Sequence, residues 1–168
     1  MRRLRLTIIG TKVDLDPTGL PSRLEGDIFE GPPERNGGEA SRPRAGGYSE
    51  EVEPILNPGL SGARGVSRLE LPGGAIVTEN FSSVRGTAPD GSLLVVSTGR
   101  VVGAEGCFRG VEGTLRSESA VRLNPFRMTV AVTLRLGGRS ATGSRSRRLA
   151  RGRSSGRFRR GSHPQASW

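Results

Sequence analysis

Carboxylates that share a phase with apolar side chains are the first feature of this chain that could do chemistry. In AIVTENF, Ala75–Phe81, the residues Ala75, Val77 and Phe81 fall on alternate positions, and Glu79 falls in step with them. In YSEEVEPIL, Tyr48–Leu56, the apolar set is Tyr48, Val52 and Leu56, and Glu50 is in step. Alternate residues of a strand share a face, so Glu79 and Glu50 are expected to point the same way as their apolar neighbours. An apolar setting disfavours the charged form of a carboxyl, which suits it to act as an acid or a hydrogen-bond donor near neutral pH. Glu79 is therefore the candidate catalytic acid. The plainer reading, a strand-end residue reaching solvent, stays open for it. It stays open for Glu50 too, because Glu51 and Glu53 beside it suggest a solvated edge. Ser117 and Ser119 share a face with Leu115, Val121 and Leu123, either as pocket hydroxyls or as fillers bonded to the backbone. Tyr48 either orients a carbonyl or packs. Val77, Phe81, Phe126 and Met128 complete the expected substrate-contacting set.

Much familiar chemistry is missing. The single histidine, His163, lies near the C-terminal end, and there is one cysteine, Cys107. That excludes histidine-based acyl transfer and most zinc sites, and no metal site is expected. One cysteine cannot form an intramolecular disulfide, which suits a reducing cytoplasm; Cys107 is expected to be a buried, inert thiol. No lysine and hydroxyl pair follows the glycine-rich run as in a phosphate-binding loop, and no sound dinucleotide fingerprint occurs. An enzyme built on this chain would need no cofactor. MRRLRLTIIG has too short an apolar run for a signal peptide, and no stretch approaches the ~20 apolar residues of a membrane helix. The expectation is a cytoplasmic protein with no membrane partner.

The elements that must position these residues are strands. With 33% hydrophobic and 4% aromatic residues, 26 glycines and 11 prolines in 168 residues, the chain can fill one small core rich in turns. Leu4–Ile9 reads as a first strand, extendable through Leu15, before the turn Asp16-Pro17-Thr18-Gly19. Leu24–Phe29 is a short second strand. Gly31–Gly47 reads as a loop, either a solvated linker or a cover for the mouth of a barrel. Tyr48–Leu56 is a third strand, and Asn57–Gly65 a turn-rich connection. Val66–Leu71 and Ala75–Phe81 form a hairpin around Pro72-Gly73-Gly74, with Ser67, Leu69 and Leu71 on one side. Ala88-Pro89-Asp90-Gly91 turns the chain into Leu93–Thr98. FRMTVAVTLRL, Phe126–Leu136, alternates over eleven residues, with Phe126, Met128, Val130, Val132, Leu134 and Leu136 on one face. The formal charge of +10 is uneven: residues 137–168 carry nine arginines and no acid, leaving 17 basic against 16 acidic groups in residues 1–136. The basicity thus belongs to a tail, residues 137–168, expected to be disordered, and not to the domain, residues 1–136.

Between two strand-like runs lies VVGAEGCFRGVEGTL, Val101–Leu115, with Gly103, Gly106, Gly110 and Gly113 around one aromatic, Phe108. Glycines at this density point to a tight corner of a curved sheet, plugged by Phe108. GxxGxFxGxxG after an apolar strand resembles the signature of the allene oxide cyclase and dirigent-like barrels, and within them looks closest to bacterial spirotetronate-type polyketide cyclases. LELPGGAIV, Leu69–Val77, is similar to the family's strand–PGG–strand hairpin, and Gly26–Phe29 with Gly37-Gly38 is a weaker third match. The resemblance implies an all-β fold, a small antiparallel barrel of about eight strands. It implies a cofactor-independent cyclase of natural-product biosynthesis that folds a linear polyene for intramolecular [4+2] cycloaddition. Those cyclases carry a tryptophan on the strand after the glycine corner, where this chain has Ser117 or its neighbours. Barrels of this kind often pair, so a homodimer is within the expectation. Two alternatives stand beside the cyclase. One is a dirigent-like barrel that binds a hydrophobic small molecule without chemistry. The other is nucleic-acid binding through RRLARGRSSGRFRR, Arg147–Arg160, which the near absence of aromatics in that run opposes.

Overall fold

A computed structural model describes residues 1–33, 42–57 and 60–138, the side chains of residues 56, 57, 60 and 61 excepted. Eight strands follow one another in chain order: β1 (Arg2–Leu15), β2 (Pro21–Glu30), β3 (Arg44–Asn57), β4 (Leu60–Leu71), β5 (Gly74–Thr87), β6 (Leu93–Ala104), β7 (Glu112–Leu123) and β8 (Phe126–Gly137). Each pairs antiparallel with the next, and β8 returns to β1 from Arg2↔Leu136 to Ile9↔Thr129, which closes the sheet into a barrel. The all-β, eight-stranded barrel expected from the sequence is the fold. Among the described residues no helix is long and apolar enough to cross a membrane. The expected basic tail lies, from residue 139 onward, outside the described residues, as does the arginine-rich run within it.

The period-two pattern builds the wall. On β8, Met128, Val130, Val132, Leu134 and Leu136 are buried, while Arg127 and Arg135 face out. Ile28, Leu69, Ile76 and Leu134 retain none of their exposed surface, and with Leu6, Leu136 and Phe108 they fill one end of the barrel.

The glycine corner closes that end. It follows β6 as a single 3₁₀ turn, Gly106–Phe108, and delivers Phe108 into the core. Two backbone bonds tie it to the β4–β5 hairpin: the Cys107 N–H donates to the Gly73 carbonyl (2.8 Å) and the Glu105 N–H to the Ala75 carbonyl (2.8 Å). Gly106 adopts φ +62°, and a Cβ there would fall 2.1 Å from the Gly73 carbonyl oxygen. Gly110 has φ +77°, and a Cβ on Gly113 would fall 2.3 Å from the Arg135 carbonyl oxygen. Gly103 is different. It still belongs to β6, and a Cβ there would meet Val77 at an ordinary 3.5 Å. Cys107, expected to be buried, is exposed, because the turn that sends Phe108 inward sends its neighbour out.

Opposite the plugged end, the β1–β2 and β5–β6 turns stand at the rim. The Asp16 carboxylate accepts from the Thr18 N–H (2.8 Å) and hydroxyl (2.7 Å) and from the Leu20 N–H (2.9 Å). Asp90 accepts from the Ser92 N–H (3.0 Å) and hydroxyl (2.9 Å).

Two strands begin inside stretches read as loops, and others run longer than expected, β5 to Thr87 and β6 to Ala104. β3 begins at Arg44, inside the stretch read as a loop, and β4 begins at Leu60, inside the stretch read as a connection. In both cases glycines were read as turn residues. Gly46, Gly47, Gly62 and Gly65 instead sit within paired strands.

Gly106→Ala should destabilise the barrel by about 2–3 kcal/mol, from a positive φ plus the collision with Gly73. Phe108→Ala should cost about 3 kcal/mol or more, whereas Gly103→Ala should stay within about 0.5 kcal/mol of the parent. Thermal unfolding followed by circular dichroism orders the three; equal losses at Gly103 and Gly106 would refute the corner as described.

Candidate functional site

Above the filled end, the barrel holds a cavity of about 660 Å³ that runs to the rim formed by the β1–β2 and β5–β6 turns. Its two sides differ. On β8, β1 and β2 the lining is apolar: Met128, Val130, Val132, Ile8 and Leu24, with Val52 of β3 adjoining. On β3 to β7 the lining carries Tyr48, Glu50, Ser67, Asn80, Ser82, Ser97, Ser117 and Ser119.

Strand register arranges the polar side into rows. Glu50 on β3 lies opposite Ser67 on β4, which lies opposite Thr78 on β5. Ser82 on β5 lies opposite Ser97 on β6, which lies opposite Ser117 on β7. Between these rows, Asn80 is flanked by Gly65 on β4 and Gly99 on β6. Both glycines act as sockets. A Cβ on Gly65 would fall 2.2 Å from Glu50 Oε1, and one on Gly99 would fall 2.2 Å from Asn80 Oδ1.

Hydrogen bonds join the first row to Asn80. The Tyr48 hydroxyl donates to Glu50 Oε2 at 2.6 Å, and Asn80 Nδ2 donates to Glu50 Oε1 at 3.1 Å. Asn80 Nδ2 also donates to Ser67 Oγ. Enclosure by the barrel pushes the Tyr48 phenol well above the ordinary value of 10.0; the Glu50 charge and the hydrogen bond to Glu50 add to the rise, and Ser67 opposes it. In the other row, Ser82 Oγ and Ser97 Oγ pair at 2.7 Å. Ser119 Oγ donates to the Val95 carbonyl (3.3 Å). The Ser117 hydroxyl has no hydrogen-bond partner among the described residues while lining the cavity.

The structure brings Tyr48, Glu50, Ser117, Ser119 and Met128 together at this cavity, as the sequence led us to expect. It does not bring Val77, Glu79 and Phe81 there. Glu79 is on the outer face, where Oε2 meets the Arg100 guanidinium at 2.8 Å, and Phe81 is 47% exposed. The expectation followed the apolar residues, and on β5 Val77 and Phe81 lie on the outer face; the β4–β5 turn carries the true register. Only Pro72 and Gly73 occupy it, and Leu71 pairs with Gly74, so Leu69 pairs with Ile76. Counting Gly74 as a turn residue slips the register by one and turns β5 inside out. Phe126 does not line the cavity either. Its ring fills the space that Gly10 of β1 leaves without a side chain. The side chain of Leu56 is outside the described set.

Ser67, Asn80, Ser82, Ser97, Gly65 and Gly99 escaped the sequence reading. The hairpin held the signal: once Ser67 and Leu69 face inward, a two-residue turn sends Ile76, Thr78, Asn80 and Ser82 inward with them. Among the described residues no three of His, Cys, Asp and Glu gather to hold a metal ion. The site can bind an elongated apolar body along one wall, offer a free hydroxyl from Ser117, and offer an acceptor from Glu50.

Tyr48 is the only tyrosine, so its phenolate absorbance near ~295 nm titrates one group. Its midpoint should lie well above 10.0, the ordinary value, and Glu50→Gln should lower it without restoring the ordinary value, because burial is the larger cause. Since the folded state holds this proton more tightly, stability is full below pH ~10 and falls as the pH rises through the folded midpoint. An unshifted midpoint in the folded protein would contradict the network. Compared with known proteins, the chain matches no protein-family model and no curated protein.

Proposed function

We propose that this barrel is a cofactor-independent cyclase that folds a linear, largely apolar polyene for intramolecular [4+2] cycloaddition. The observation that carries the reading is the cavity of about 660 Å³ with one apolar wall and one hydroxyl-bearing wall. An eight-stranded barrel of this kind has room for one small ligand. The glycine corner around Phe108, in its resemblance to the spirotetronate-type cyclases, supports the same reading.

Such a reaction asks little of side chains. Two σ bonds form as two π bonds are consumed within one molecule, and no proton or electron leaves or enters. Orientation of diene against dienophile in a shaped cavity contributes several kcal/mol. A hydrogen bond from Ser117 to a carbonyl conjugated with the dienophile would withdraw electron density from it, and would strengthen as charge develops on that oxygen. Tyr48 has a different part, since its proton is committed to Glu50.

That commitment also favours a second reading, in which the barrel holds an intermediate without accelerating its chemistry, as a dirigent-like protein would. The two separate in one assay. A linear polyene bearing an internal diene and a conjugated terminal carbonyl is incubated with the full chain. Loss of diene absorbance gives the rate, and chiral chromatography gives the product. The cyclase reading predicts a rate above buffer and a single stereoisomer, with Ser117→Ala slowing the reaction about tenfold, the value of one hydrogen bond of about 1.4 kcal/mol. Saturable binding with the buffer rate selects the second reading, and absence of binding defeats both.

A further inference from the structure

Glu50 has an unusual place. It lines the cavity, yet among the described residues no cation pairs with it: each of the seven ion pairs there joins other carboxylates. Its two donors are neutral, a phenol and a primary amide. A carboxylate offers about four lone-pair sites on two oxygens, and these two bonds occupy one on each oxygen. The phenol oxygen of Tyr48, having spent its proton, keeps acceptor capacity beside them. Arg64 is the cation that lines the cavity. It stands at an outward position of β4, opposite Glu53 and Phe81, with its side chain exposed. The polar wall thus gathers acceptors around a carboxylate that no cation pairs with among the described residues.

We propose that Glu50 makes this cavity selective for a ligand with a basic nitrogen, held as an ammonium against the Glu50 carboxylate while its apolar body lies along Met128 and Val130. An ammonium carries three donors and no acceptor, which complements this wall. A carboxylate ligand would meet a like charge there, and a neutral hydroxyl would use one acceptor and leave the charge uncompensated. A charge-assisted hydrogen bond is about twice as strong as a neutral one. Gly65 is the positioning residue for this selectivity, because the Glu50 carboxylate lies over the space that any larger side chain would fill. The inference rests on the reading of the cavity as a ligand site and adds the chemical class of the ligand's polar end.

Isothermal titration calorimetry of the full chain with decylammonium, below its micelle-forming concentration, and with decanol, below its solubility limit, tests it. The ammonium should bind about tenfold more tightly than the alcohol, the preference expected of one charge-assisted bond in place of a neutral one. Glu50→Gln, a near-isosteric change, should bring the two within about twofold of each other. Gly65→Ala should also erode the preference although Glu50 is still present, since the added methyl displaces the carboxylate. Equal affinities in the parent, or a preference that survives Glu50→Gln, overturn the inference and leave the cavity reading standing. Failure of both probes to bind overturns the cavity reading and the inference together.

Discussion

A closed cylinder of eight antiparallel strands fixes how much space lies inside it. The strand count and tilt set an interior just wide enough for packed side chains or for one small guest, and the sequence decides which. Here the decision differs between the two ends. At the end where the glycine corner crosses, Phe108, Leu134, Leu136, Leu6, Ile28 and Ile76 fill the space. Towards the rim formed by the β1–β2 and β5–β6 turns, serine, glycine and asparagine stand where large residues would be needed, and the space stays hollow. Because β1 pairs with β8 and every strand has two partners, the wall cannot close in on that hollow without breaking its own ladder.

The same constraint explains the polar network. A carboxylate inside a barrel needs donors, and Tyr48 and Asn80 supply them. They reach Glu50 because Gly65 and Gly99 carry no side chains on the same inner face. Small residues therefore do two jobs: at the corner they let backbones approach, and in the wall they let side chains lie flat. Enclosure of the Tyr48 phenol follows from this arrangement and keeps its proton on the Glu50 side of the cavity.

The fold was legible because alternation survives wherever one face of a strand is buried. The eleven-residue run of β8 and the glycines about Phe108 needed no tertiary context. The site was legible only where its residues kept company with apolar ones, as Tyr48, Glu50, Ser117 and Met128 do. On β5 the rule inverts. Thr78, Asn80 and Ser82 face inward, the last two onto the hollow, while Val77 and Phe81 face out, so following the apolar set chose the outer face and put Glu79 inside. A hollow interior weakens the one signal that marks a face as inner. Strand glycines misled for a related reason. Gly46, Gly62 and Gly65 look like turn residues in the chain, and their reason, a neighbouring backbone or side chain lying against them, exists only once the barrel is closed.

The central claim is that the half of the barrel near that rim is a hollow chamber with one apolar wall, and the half around Phe108 is solid. The chain has two methionines: Met128 is 4% exposed on the chamber wall and Met1 is 95% exposed outside it. Labelling the methionine methyl groups with carbon-13 and titrating with a neutral apolar probe reads both at once in a single proton–carbon spectrum. The account predicts a saturable shift of the Met128 methyl with Met1 unmoved. A probe that binds and leaves Met128 where it was, or that moves Met1 alone, would contradict it.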